Sequence, residues 1–292
     1  MITGIIFSFL ALFAWGFGDF SIQRATRVVG IWKTLFFIGS AGVVVLFPFI
    51  VSEIGPLFSN PRHIGLLALA GLVVFFTALF EFESLRRGKL AIVEPVLGLE
   101  LPITVALSVL LWGEVLSLPQ LFLVGTTFVG VVLAVTIHHT HLHYHRRIFE
   151  RGVILAGIGA IGMGLFNFLI GVGSQETSPL MTIWFTNCVF TLLCFAYLSA
   201  TNQMRALIAD VRAHTTTMLA VSILDNAAWV FFAFAVSLIP ISIAITVSES
   251  YIALTVLLGI FVSHERLKYH QIVGVVIALA SVLFLSGITA GN

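Results

Sequence analysis

Residues 111–120 read Leu111-Trp112-Gly113-Glu114-Val115-Leu116-Ser117-Leu118-Pro119-Gln120. Residues 262–271 read Val262-Ser263-His264-Glu265-Arg266-Leu267-Lys268-Tyr269-His270-Gln271. Each stretch sets a glutamate six residues before a glutamine, and the two copies stand 151 residues apart. At that same offset Ile103-Thr104-Val105 corresponds to Leu254-Thr255-Val256. At an offset of 148, Gly16-Phe17-Gly18-Asp19-Phe20 resembles Gly164-Leu165-Phe166-Asn167-Phe168. The chain of 292 residues therefore reads as two related halves.

What is repeated is apolar. Hydrophobic residues make up 59% of the chain and charged residues 9%, and the mean hydropathy is +1.12. Soluble domains hold about 45–50% apolar and about 25% charged residues. A chain of this length has no water-soluble core that could bury so much apolar surface, which excludes a cytosolic enzyme, a secreted domain and a soluble nucleic-acid binder. The net charge of +1 implies no polyanionic partner. Cys188 and Cys194, six apart, point to different helix faces and suit neither a disulfide nor a metal site. The apolar start Ile2–Ile22 is too long for a cleaved signal and lacks a basic stretch before it.

Apolar runs broken by glycine, proline and charge predict ten spans. They are Ile2–Ile22, Ile31–Val51, Ile64–Leu85, Leu90–Trp112, Leu118–Ile137, Gly152–Val172, Pro179–Ser199, Thr215–Leu238, Ile241–Val262 and His270–Gly287, numbered spans 1 to 10. At about 20 residues each these are helices, since barrel strands are half as long and alternate. Five spans per half is an odd number, so the two halves enter the membrane in opposite directions. The predicted fold is an all-α integral membrane protein with ten transmembrane helices, an inverted repeat of two five-helix halves. The first half, with a histidine-rich linker, covers 1–145 and the second covers 146–292. Such repeats place a binding site near the midplane between the halves. Thirteen of the fourteen Lys and Arg residues fall in odd-numbered loops or, for Lys33, in the first turn of the span after one, and only Arg62 falls in an even loop. By the positive-inside rule the odd loops are cytoplasmic and both termini lie outside.

A charge inside a bilayer costs about 2.5–3.5 kcal/mol on insertion scales and needs a reason to be there. Glu100, Asp225 and Glu249 fall well inside spans 4, 8 and 9, while Asp19, Glu81 and Glu94 lie nearer the ends of spans 1, 3 and 4. No Lys or Arg lies at comparable depth. These acids are protonated, hydrated, hydrogen-bonded, or paired with a cation that is not part of the chain. A carboxyl that titrates near physiological pH and faces each side in turn carries protons, and it can hold a cationic solute in competition with them. Trp15 stands four before Asp19 and Trp229 four after Asp225, each pair on one helix face, with Tyr251 close to Glu249. An acid beside an indole suits an ammonium group. The bland alternative is packing, because the chain has 27 Phe and 12% aromatics. Asn167 and Asn226 are candidates to bond a solute or a neighbouring helix. Pro95 and Pro102 flank Gly98 and Glu100, so span 4 reads as bent, with Ser248, Glu249 and Ser250 as its polar match in span 9. Glu114 and Glu265 sit at turns, where carboxylates cap helix ends or bond across the fold. His138, His139, His141, His143 and His145 match no closed zinc site, and the sequence calls for no metal and no cofactor.

Ala14-Trp15-Gly16 in span 1, and Leu111-Trp112-Gly113-Glu114 followed by Gln120 and Gly125, carry a resemblance. So do His264-Glu265, Gln271 and Gly274 in the second half, where histidine replaces the usual glycine before the glutamate. Across essentially its whole length the chain resembles a ten-helix, EamA-type member of the drug/metabolite transporter superfamily. The resemblance implies a prokaryotic plasma-membrane transporter of small metabolites or drugs, often an exporter, with spans 1, 3, 4, 6, 8 and 9 lining the path. With the acidic interior, it points to proton-coupled export of amines, amino acids or cationic drugs. A facilitator or exchanger of neutral or zwitterionic solutes is the alternative. A membrane enzyme fits worst, since all nine His lie in or near loops and no nucleophile elbow or P-loop occurs. The partners implied are a small solute, protons and the bilayer, with monomer and homodimer both open.

Overall fold

The computed structural model describes residues 1–87, 96–135, 151–254 and 268–291. Glu94, the linker His138–His145, Glu265 and the stretches 90–95 and 255–262 of spans 4 and 9 lie outside the described residues. Among the described residues every regular element is helical. The first half contains α1 Ile2–Val28, α2 Ile31–Ile50, α3 Ile54–Phe58, α4 Pro61–Arg87, α5 Glu100–Leu111 and α6 Leu118–Val135. The second contains α7 Arg151–Glu176, α8 Pro179–Ala200, α9 Met204–Ala213, α10 Thr215–Leu238, α11 Ile241–Glu249 and α12 Tyr269–Gly291.

Among the described residues six segments are long and apolar enough to cross a membrane: Ile31–Phe58, Pro61–Glu81, Ile154–Glu176, Pro179–Ala200, Thr215–Leu238 and Tyr269–Gly291. Four shorter apolar helices, Ile2–Gly18, Glu100–Leu111, Leu118–Ala134 and Ile241–Leu254, lie among them. Lipid offers no hydrogen bonds to a backbone, and a helix closes its own. The outer faces carry Val44, Leu110 and Phe122, exposed apolar side chains that a bilayer solvates at no cost.

Local chemistry sets where the helices begin. Ser178 caps α8 by accepting the Met181 N–H at 3.1 Å, with Pro179 preset at the first helical position. Gln120 Oε1 accepts the Ser117 N–H at 2.9 Å, one arm of a capping box. Gln271 Oε1 accepts the Lys268 N–H at 3.0 Å in the same way. The far atoms of both glutamines reach the opposite helix. Gln120 Nε2 donates to Thr289 Oγ1 at 3.4 Å and Gln271 Nε2 to the Ala134 carbonyl at 3.2 Å. α6 and α12 are thus tied at both ends. Between the ties, Gly130 and Gly274 bring backbone onto backbone, and a Cβ on Gly130 would stand 2.6 Å from the Ala278 nitrogen.

The remaining helices pack in matched pairs. α4 and α5 pack on α7, while α10 and α11 pack on α1, and α2 lies against α8. The glycines of α7 are the reason it sits so close to its neighbours. Gly159 meets the backbone of Glu81, Gly162 meets Thr77, and Gly164 meets Ile103. Polar ties mark the two ends of the bundle. Lys33 and Asp210 pair at 2.5 Å where spans 1 and 7 lead out. Arg62 and Glu176 pair at 2.6 Å where spans 2 and 6 lead out.

Two stretches differ from the sequence reading, and the first is Ile54–Phe58, the short helix α3 in the connection between spans 2 and 3. The second, residues 201–214, reads as a polar connection, yet 204–213 form α9. Met204, Leu207 and Val211 recur at helical spacing, and Leu207 buries against the bundle. The intervening charges mask that period in a hydropathy average.

Candidate functional site

Four helices deliver rings to one place in the middle of the bundle. Trp15 of α1 is 7% exposed, and its ring centroid lies 5.0 Å from that of Trp229 on α10, with the planes at 81°. Phe166 of α7 meets Trp229 edge-on at 4.8 Å. Phe232 lies 5.7 Å from Trp15, and Tyr251, just beyond α11, lies 6.1 Å from it. Edge-to-face packing puts the positive rim of one ring on the negative face of another. The two tryptophans that the sequence marks as separate acid–indole pairs therefore belong to one cluster.

Asp225 stands one turn before Trp229 on α10, half-buried, with that indole beside it. Asp19 follows Trp15 by one turn of α1. Glu100 and Glu249 are buried, at 9% and 5% exposure. Each adjoins a break in its span: the helix is interrupted at 98–99 just before Glu100, and at Ser250 just after Glu249. Thr104 donates from Oγ1 to the Glu100 carbonyl and to the Gly164 carbonyl of α7. Ser248 donates to the Ser8 carbonyl of α1. Span 4 is thus sewn to α7 and span 9 to α1, both at mid-depth. Glu81 lies farther along α4, where Gly159 of α7 crosses it.

The two asparagines take opposite roles. Asn226 donates from Nδ2 to the Ile38 and Ser222 carbonyls and accepts at Oδ1 from Asn187, so its amide links α10, α2 and α8. Asn167 is 1% exposed, and neither its Nδ2 nor its Oδ1 has a partner among the described residues. It lies on the side of α7 that carries Gly164 and Gly171, which face Ile103 of α5 and Ile241 of α11.

The EamA-like transporter family model matches this chain twice, over residues 2–136 and 150–287. The chain belongs to the EamA-like transporter family. Membership makes it a multi-pass membrane protein and a transporter of small solutes. An uncharacterized protein of Methanocaldococcus jannaschii is 23% identical over 133 residues, covering 46% of this chain and 96% of that protein. A solved crystal structure superposes with a TM-score of 0.70, covering 98% of this chain and 97% of its own at 12% identity, a likeness of fold alone.

In this EamA-like transporter two features of the centre and one at an end of the bundle escape sequence reading. Phe232 is three residues after Trp229 on one helix face, a signal the sequence does carry. Phe166 has no such signal in a chain with 27 Phe. The third is the destination of Glu114. Its carboxylate accepts the backbone N–H of Ile241 at 2.5 Å and of Ser242 at 3.0 Å, and the Ser242 hydroxyl at 2.6 Å. Glu114 thus caps α11 from the turn between α5 and α6. Beside it Trp112 Nε1 donates to Gln175 Oε1, and Gln175 Nε2 donates to the Val236 carbonyl. These bonds join the even-numbered turns over one end of the bundle.

Proposed function

We propose that the chain is a proton-coupled exporter of small organic amines, amino acids or cationic drugs. The observation that carries this reading is the ring cluster of Trp15, Phe166, Trp229, Phe232 and Tyr251 with the Asp225 carboxyl one helical turn from Trp229. A carboxylate supplies charge and ring faces supply cation–π attraction, a combination an ammonium group meets and a neutral sugar does not. Phosphate esters are disfavoured, since they need Lys or Arg deep in the site. Asp225 would exchange its proton for the ammonium, so that proton and cation take turns at one carboxylate. Glu100 and Glu249, at the breaks of spans 4 and 9, and Asp19, Glu81 and Glu94 are the further acids proposed to serve coupling. In the present packing the indoles touch one another, so a solute enters by parting α1 from α10.

The architecture proposed for this cycle is ten spans in two inverted halves, rocking about the centre. Several features support it. The two capping glutamines, and the helix breaks at Leu99 and Ser250, recur at the offset of 151 residues. The matched packing of α4 with α7 and of α10 with α1 has the same symmetry, and the archaeal relative is matched along nearly its whole length by less than half of this chain. Interrupted helices lining a midplane site are the usual devices of such transporters. The concentration of Lys and Arg toward the Lys33–Asp210 end supports a cytoplasmic placement for it, with both termini outside.

The test is proton release by the purified protein on addition of amines, amino acids and neutral solutes at several pH values. Release on adding an amine, lost in Asp225→Asn, is the expected result. Binding without release would overturn proton coupling. A second reading, exchange of a neutral or zwitterionic solute, is favoured by Asn167, whose partnerless amide suits a solute bearing both a donor and an acceptor. That reading gains if neutral solutes bind and amines do not.

A further inference from the structure

Transport leaves α9 unused, although its chemistry is specific. One face of it packs on the bundle: Leu207 is buried, and Val211 lies against the cluster of Ala25, Val29, Ile38, Met218 and Val221. α9 therefore lies against α8, α10 and that cluster at one end of the bundle. The Lys33–Asp210 pair ties one flank to α2 and neutralises the acid of α9. Past the buried stripe, on the other flank, Ile208 is 63% exposed. Arg205 three residues before it and Arg212 four after it are exposed as well, and that spacing puts all three on one strip.

An exposed isoleucine between two arginines belongs at a boundary. The apolar side chain suits the upper acyl region, while the guanidiniums reach headgroup phosphates and pair with them bidentately. We propose that the Arg205–Ile208–Arg212 strip of α9 is a binding site for the headgroup of an anionic phospholipid. The acid that would repel such a headgroup is turned away and occupied by Lys33. The site anchors the connection between α8 and α10 to the leaflet beside it. A substrate plays no part in the argument, so it stands or falls apart from the transport reading.

Native mass spectrometry of the full chain, with phosphatidylglycerol or phosphatidylcholine added in detergent, tests it. The wild type should retain phosphatidylglycerol preferentially. R205Q/R212Q should lower that preference roughly tenfold, as expected for two basic side chains near an anionic surface. I208E should weaken retention with both arginines still present, because its new acid meets the phosphate. R62Q, at the opposite end of the bundle, should change nothing. Both arginines are exposed, so the double variant keeps its fold, which its elution profile and helical signal verify. Equal retention of the two lipids by the wild type, or an undiminished preference in R205Q/R212Q, overturns the site. So does displacement of phosphatidylglycerol by an equal concentration of inorganic phosphate, since that would mark an anion site with no lipid component.

Discussion

The α6–α12 pair and the centre formed by α1, α7, α10 and α11 treat polar groups in opposite ways. Along α6 and α12, Gln120, Gln271, Thr126 and Ser281 all have partners, and glycines close the gap between the backbones. In the centre an asparagine amide has none among the described residues, two spans lose their helical bonding, and an acid shares space with indoles. A membrane interior penalises each of these. Among the described residues the α6–α12 pair has one buried unpartnered side chain, Ser286, and neither a helix break nor an acid, which separates a brace from a working part.

The sharpest way to break that contrast is to overfill the brace. G130L pushes a side chain onto the Ala278 backbone, which cannot give way. It should cost about 3 kcal/mol, the upper end for overpacking, and be seen as loss of the monodisperse peak on size exclusion. G125A, on the open side of α6 with nothing within 4 Å, should stabilise by about 0.5–1 kcal/mol in thermal unfolding. Equal damage from the two would erase the claim that α6 and α12 are specially close. D225N comes next. It should leave the unfolding temperature nearly unchanged and cut amine transport by at least roughly tenfold, the value of a charged hydrogen bond. Unaltered flux in vesicles would return the centre to ordinary packing.

The asparagines sharpen the comparison within single residue types. N226A strands Asn187 and the Ile38 carbonyl and should destabilise by about 1 kcal/mol. N167L loses no bond to the described residues and should melt at or above the wild-type temperature while binding less solute. A higher cost for N167L than for N226A, measured by thermal unfolding in one detergent, would reverse their assigned roles. The smallest effect is expected from E114Q. It removes the charge at the start of α11 but keeps an acceptor, for about 0.5–1 kcal/mol. An effect confined to transport kinetics would make this cap part of the moving machinery.

Much of this was legible beforehand. The apolar runs announce the helices, and Gly162 and Gly164 announce a closely packed α7. Pro95, Gly98 and Pro102 announce the interruption beside Glu100. Glu114 is read correctly as a helix cap, but not whose cap: it serves α11, more than a hundred residues along the chain. The meeting of Trp15 with Trp229 was equally hidden. Each was seen only beside the acid on its own helix, because local spacing reports neighbours one turn away and nothing across a bundle.

Composition alone determined that this chain lives in lipid, since 59% apolar residues cannot be buried otherwise at this length. Lipid in turn demanded helices, because no other short segment satisfies its own backbone. Tertiary structure decided which polar groups are spent and which are kept. Asn226 and Asn167 are the same residue in the same kind of helix. Only the facing surfaces, α2 and α8 for one and the sides of α5 and α11 for the other, make the first a rivet and the second an open contact.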